Sequence, residues 1–226
     1  MHYTPSFPLY PTMPPPSHRN DQYVMKVSGE GTLSVTPDRA IVVLGAITES
    51  KDVSTAQKEN AETVSKIINS ILRLGIPKEN IKTSDYRIDI QYDYEDGKQI
   101  LRGYKVTHLL QITIDKIEQT GLVIDTAVNS GANSVSAIKF TVAQPNIYYN
   151  QALSLAINNA QQKAVTMAKT LGVTLNQIPN RIQEVSGAPE PVPYQASLYA
   201  MSAATPVQPG QVEISAEIRT EYSYTV

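Results

Sequence analysis

Over residues 86–94 the chain alternates without a break. Tyr86, Ile88, Ile90, Tyr92 and Tyr94 fall on one face and Arg87, Asp89, Gln91 and Asp93 on the other. A period of two marks a strand with one buried side, so the Tyr/Ile face is expected inward and the charged face in water. Asp96-Gly97 supplies a positive-φ turn, and Tyr104, Val106, His108, Leu110, Ile112 and Ile114 continue the alternation on a returning strand. A long hairpin is predicted. Ahead of it, Tyr23–Val35 reads as a strand interrupted by Gly29-Glu30-Gly31. Thr36-Pro37-Asp38 then turns the chain into a mostly apolar strand over 39–49, and these two are expected to pair as a second hairpin.

A helical period replaces the strand period three times. Asp52 or Ser54 is placed to cap a helix that runs to Leu74, with Val53, Ala56, Asn60, Val64, Ile67, Ile68 and Ile71 as its buried stripe and Gly75 closing it. A shorter helix is read over about 117–130. Gly131-Ala132-Asn133 follows it, then a strand with Ile138, Phe140 and Val142 on one face. Pro145 opens the longest helix, ending at Leu171 before Gly172, with a length of ~40 Å at 1.5 Å per residue. Within it Ala152, Ala156, Ala160, Ala164 and Ala168 form one ridge of small side chains, which lets a helix approach another backbone closely. That ridge is expected against the sheet or a second helix.

A short strand over 181–186 and a long one over 212–224 are expected to pair antiparallel, the latter with Val212, Ile214, Ala216, Ile218, Tyr222 and Tyr224 inward. Between them the 187–210 segment carries Pro189, Pro191, Pro193, Pro206 and Pro209 among Ala, Ser and Tyr, the composition of a functional or disordered loop. Residues 1–22, rich in proline from Pro5 to Pro16, read as a disordered tail. The elements together predict an α+β fold over 23–226, two-layer antiparallel sheets packed by helices. A plait-like βαβαβ lobe is expected over about 103–184, with the first and last strands in another lobe.

Composition narrows the function classes. A formal charge of −2 and a pI near 5.9 leave no excess of Lys and Arg to track phosphates, so nucleic acid is not an expected partner. The longest apolar run, Ala40 to Leu44 continuing to Ile47, is far short of the roughly eighteen residues of a spanning helix, so no transmembrane segment is expected. No basic start leads into an apolar stretch as a signal peptide requires, and a cytoplasmic location is therefore expected. The chain has no cysteine or tryptophan, and outside the tail, which holds His2 and His18, its only histidine is His108. Nucleophilic catalysis and transition-metal binding normally need Cys or His held by a second group, so no catalytic residue, cofactor or metal is expected.

The remaining candidates have structural explanations. His108 shares a face with Leu110 and Ile112 and reads as a packed histidine with one hydrogen bond. Asp85, Asp89 and Asp93 are spaced four apart along a strand, ~13 Å from one to the next, too far to share a cation. The 93–97 stretch resembles a calcium loop, but its glycine comes one position early and its twelfth position is Tyr104 rather than Glu. Gly29-Glu30-Gly31 precedes a strand rather than a helix, so a bulge or close backbone contact is expected there. Ser136 and Lys139 face opposite ways on a strand, and Lys163 is expected to bury its stem and send its ammonium to water or a carboxylate. Thirteen tyrosines against two phenylalanines suit faces buried on association. Tyr148, Tyr149, Tyr194, Leu198, Tyr199 and Met201 are the expected oligomer contacts, with 187–210 as an arm onto another subunit. Two rival readings stand beside this one. One is a hydrolase or small-ligand-binding protein working through carboxylates and tyrosines such as Asp38, Asp85 and Tyr104; the other is an adaptor presenting its Pro-rich segments as polyproline helices.

Several short signatures recur in a characteristic order: Val27-Ser28-Gly29-Glu30-Gly31, Pro37-Asp38-Arg39-Ala40, Ile81-Lys82-Thr83-Ser84, Gly103-Tyr104, Gly131-Ala132-Asn133, Ala160 with Lys163-Ala164, and Pro209-Gly210. In this order and spacing the chain resembles the SIMPL-domain family of bacterial envelope and cytosolic proteins, which includes the periplasmic immunogenic protein group. The resemblance implies an α+β fold, ring-like or cage-like homo-oligomers and no established enzymatic activity. It transfers no catalytic residues. A non-enzymatic, self-assembling scaffold associated with the envelope or with stress is the function it implies, with further copies of the chain as the partner.

Overall fold

A computed structural model describes residues 23–185, 192–194 and 207–226. In chain order the elements are β1 (Tyr23–Val35), β2 (Arg39–Ser50), α1 (Val53–Arg73), β3 (Ile81–Glu95), β4 (Lys98–Ile114), α2 (Thr120–Asn129), β5 (Ser134–Thr141), α3 (Pro145–Leu171), β6 (Thr174–Leu175), β7 (Arg181–Glu184), β8 (Val192–Tyr194) and β9 (Gln211–Thr225). They form two antiparallel sheets packed by helices, the α+β architecture read from the sequence. One sheet has four strands in the order β3-β4-β2-β5; in the other, β9 pairs with β1 on one side and with β6, β7 and β8 in turn.

The four-stranded sheet, with its two helices, has the chain order β2-α1-β3-β4-α2-β5, a split βαβ plait. The expected lobe over 103–184 is therefore not a unit. β4 and β5 flank β2, whereas α3 and β7 belong with the other sheet. The physical reason lies in β2, whose Ala40, Val42, Leu44 and Ala46 are buried on one face while Ile41, Val43 and Ile47 are half-buried on the other. A strand apolar on both faces belongs at the centre of a sheet, with a strand on each side. The expected hairpin between β1 and β2 fails for the same reason. β1 pairs along its whole length with β9, from Tyr23 opposite Tyr224 to Val35 opposite Val212, and the chain crosses between sheets at residues 36–38.

The plait's core is formed by Val42, Leu44, Ile67, Ile71, Leu110, Ile112, Ile114, Val123 and Ala127. Asp52 caps α1 by accepting from the Thr55 backbone N–H at 2.7 Å and from the Thr55 hydroxyl at 2.9 Å. Asn60, on the buried stripe of α1, donates from Nδ2 to the carbonyls of Ala46 at 3.0 Å and Val106 at 3.3 Å, tying the helix to the β2–β4 ladder. At the far end of the hairpin Asp96 and Gly97 both adopt the left-handed φ that a tight two-residue turn requires.

In the second sheet the alanine ridge of α3 lies against β1. Gly29 and Gly31 permit this contact: a Cβ on Gly29 would come within 2.0 Å of the Ala156 carbonyl oxygen, and one on Gly31 within 2.1 Å of that of Ala152. The Gly-Glu-Gly interruption is thus a close backbone contact rather than a loop. Around it α3 also closes the outer edge of β1, where Asn159 Oδ1 accepts from the Glu30 N–H at 3.2 Å and Lys163 Nζ donates to the Ser28 carbonyl at 3.1 Å. The Lys163 ammonium therefore bonds a backbone carbonyl instead of the expected water or carboxylate. β7 pairs with β9 as expected, and 192–194, expected within a structureless loop, form a strand against Val212. Of the strand face expected from Ile138, Phe140 and Val142, only the last two turn inward, since β5 is an edge strand whose pairing with β2 shifts register at Val43/Leu44. The proline-rich 1–22 tail lies outside the described residues.

Candidate functional site

Most of the Tyr/Ile face of β3 is uncovered, contrary to the alternation's promise of burial. Tyr86 is 47% exposed, Ile88 39%, Ile90 51%, Tyr92 44% and Tyr94 73%, and Leu101 on the returning strand is 52% exposed. There are two causes. Tyr86 and Ile88 lie within the span of β2 but on the edge strand of the sheet, while β2 ends at Ser50 opposite Tyr104, which lies opposite Ile90, so Tyr92, Tyr94 and Leu101 run past the shorter strand. A stripe of this kind can bury apolar area only against another molecule or another part of the chain.

At the base of the stripe a polar group of side chains anchors β3. The His108 and Tyr86 rings meet in a T-shaped arrangement, 5.1 Å between centroids and 87° between planes. His108 Nε2 lies 3.3 Å from Thr83 Oγ1, and Tyr86 accepts through its hydroxyl from Gln57 Nε2 at 3.1 Å. Burial lowers the His108 pKa from its ordinary value, favouring the neutral ring. On the opposite face of β3, Arg87 bridges Asp85 at 2.6 Å and Asp89 at 3.2 Å.

The rival catalytic set does not converge. Asp38 sits at the crossover between the sheets, accepting from the Ala143 N–H at 2.7 Å. Asp85 lies opposite Leu109, which faces Gly45, roughly 23 Å further along β2 at 3.3 Å per residue, and Tyr104 stands roughly 17 Å beyond that. Among the described residues no group of His, Asp or Glu is arranged to hold a metal ion. A depression of about 460 Å³ on the outer face of the five-stranded sheet is lined by Lys26, Arg181, Arg219 and Glu221 among others. It is a solvent-facing surface where Lys26 already pairs with Glu221 at 3.1 Å. No helix among the described residues is long and apolar enough to cross a membrane.

The expected oligomer contacts divide. Tyr149 is buried inside the chain against the alanine ridge with its hydroxyl bonded to Glu184, and Tyr148 is half-buried beside the same cluster. The backbone of Tyr194 pairs with Gln211, while Leu198, Tyr199 and Met201 lie outside the described residues. Sequence reasoning passed over the β3 stripe because alternation alone was taken as burial. The 86–94 alternation carries no signal of it, because which strands flank β3 is decided by pairing.

The sequence profile of SIMPL, described as a protein of unknown function (DUF541), matches residues 25–222, almost the whole described body. The chain belongs to the SIMPL family. Among similar SIMPL relatives, the "26 kDa periplasmic immunogenic protein" of Brucella melitensis is 30% identical over 186 residues, covering 80% of this chain and 74% of that protein. The "Uncharacterized protein YggE" of Escherichia coli K12 is 31% identical over 141 residues, which span 62% of this chain and 57% of the relative. A YggE from Edwardsiella ictaluri is 28% identical over 166 residues, 73% of this chain and 70% of its own. The cytoplasmic location expected from the first residues is not sustained, because the similar proteins of Brucella melitensis and Brucella abortus are named as periplasmic.

Proposed function

We propose that this SIMPL protein is a self-assembling, non-enzymatic component of the bacterial envelope that acts by presenting surface rather than by chemistry. The observation that carries the reading is the β3 stripe, an apolar face that the chain's own described residues leave uncovered. Burying even three such side chains on association is worth several kcal/mol at ~25 cal/mol per Å², before ordering costs. The tyrosine-rich composition supports the same reading, since tyrosine supplies apolar area with a polar tip that tolerates water in the dissociated state. The periplasmic names of the Brucella relatives support the compartment. Within this reading the 187–210 segment contributes an arm, with Leu198, Tyr199 and Met201 as its apolar anchors. Light scattering on the purified chain at micromolar concentration tests the reading: a mass several times 24.8 kDa is expected, and a monomer overturns it.

A further inference from the structure

The self-assembly reading leaves open which surface joins the copies, and the inference drawn here rests on that reading. The two long outer strands of the molecule differ. β1 has its free edge closed by Asn159 and Lys163, whereas among the described residues no side chain bonds the backbone of β3 and β4 is its one strand neighbour. An open edge of this length, with an apolar face, is a template for another strand. Its pairing with β4 shifts register between Thr83 and Asp85 and again between Gln91 and Tyr92. The regular stretch between these irregularities runs from 85 to 91, and its midpoint is Ile88.

We propose that two copies of this chain join edge to edge through β3, antiparallel and about a two-fold axis at Ile88, merging two four-stranded sheets into one. In this register Ile88 faces its own copy, Tyr86 faces Ile90, and both helices α1 lie on the side where these residues meet. On the other face Arg87 stands opposite Asp89 of the second copy, twice by symmetry, and Asp85 stands opposite Gln91. Two of the alternatives set like charges together. Centring the axis on Arg87 sets Arg87 against Arg87 and Asp85 against Asp89; centring it on Asp89 sets Asp89 against Asp89 and Asp85 against Asp93. Like charges directly opposite each other destabilise a strand pair. A slip by one residue sets the Tyr/Ile face of one strand against the charged face of the other. Centring on Tyr86 or on Ile90 also sets Arg87 against an aspartate, Asp85 or Asp93, but both pairings run across a register shift; the Ile88 register combines opposite charges and a matched apolar stripe within the regular stretch 85–91.

Two experiments on the full chain test the inference. The first is a charge exchange read by sedimentation. Asp89→Arg places Arg87 against arginine, and a loss of mass at a concentration where the parent is associated is expected, while the double variant R87D/D89R restores the parent mass. A thermal scan on each variant separates loss of association from loss of fold, since Asp89 also lies opposite Lys105 within the chain. The second uses cysteine, which the chain lacks. Ile88→Cys is expected to give a disulfide-linked dimer on mild oxidation, as is a mixture of Tyr86→Cys with Ile90→Cys chains. Tyr86→Cys alone is expected to link poorly, because its counterpart stands ~13 Å away. Unchanged mass in Asp89→Arg, or linking of Tyr86→Cys alone as fast as in the mixture, overturns the β3 pairing and leaves self-assembly standing through another face. A parent chain that is monomeric throughout overturns both.

Discussion

At the residue scale, Gly31 and His108 show how a single side chain, or its absence, holds an element in place. Gly31 is needed for space rather than for a special φ: the hydrogen at its α-carbon is all that the Ala152 carbonyl and the Ala156 backbone nitrogen of α3 leave room for. Gly31→Ala is expected to push α3 off β1 and to lower stability by about 1–3 kcal/mol in a denaturant titration, with no comparable loss for Thr32→Ala on the opposite, open face. His108 contributes differently. Its ordinary value is 6.5 and burial lowers it in the folded chain, so the folded state takes up its proton at lower pH than the unfolded state does. Stability from the neutral ring is therefore complete above pH 6.5 and is lost as pH falls from there through the lowered folded value. Melting temperature followed from pH 8 to 5 is expected to fall less in His108→Gln than in the parent, and equal slopes would show that His108 does not couple to folding. Asp52 works in the acidic range, where the Thr55 bonds lower its pKa and its cap is lost as the carboxylate protonates below its ordinary 3.8.

At the scale of elements, the contrast between the two outer strands has a common origin in helix placement. α3 is long enough to run beside β1 and to send Asn159 and Lys163 over its rim, whereas α1 begins only at Val53 and leaves the distal part of β3 bare. Within the 187–210 segment, two described stretches are used by the chain itself. Val192–Tyr194 pairs with β9, and Val207 packs against the plait core. An exchange of 195–205 for a Gly-Ser link of equal length keeps both contacts. It is expected to leave the melting temperature within a few degrees of the parent's while weakening association several-fold in sedimentation at decreasing concentration. Unchanged association in that variant would remove the arm from the assembly reading.

At the scale of the whole molecule, two sheets share one chain through three connections of different kinds. The crossover at 36–38 is pinned by Asp38, whose N–H donates to the Thr141 carbonyl and whose carboxylate accepts from the Ala143 N–H. At the same end of β5 the chain passes through residues 142–144 into α3, and Val207 returns from the second sheet to the plait core. A β3-paired dimer would use none of these connections, so its formation is expected to leave each chain's fold unchanged and to be reversible by dilution. The pairing axis lies at the hairpin, remote from α3 and the five-stranded sheet, which stay free for further contacts in an assembly larger than a dimer.

By itself the sequence determined the elements and their faces. The α1 stripe, the Asp52 cap, the Asp96-Gly97 turn, the alanine ridge of α3 and the inward residues of β9 all follow from local periodicity and local bonds, which need no knowledge of distant partners. Family membership was legible too, from short motifs in order. Only the tertiary structure decided which strands pair, because period-two patterns state that a strand has an apolar face without naming what covers it. Thus β1 found β9 rather than β2, the plait was built from β2 onward rather than from β4, and the Tyr/Ile face of β3 was left open by its place at the sheet edge and, beyond Ile90, by the mismatch in length between one hairpin and its neighbours. That mismatch depends on where β2 and α1 sit in space, and no window of sequence around β3 contains it.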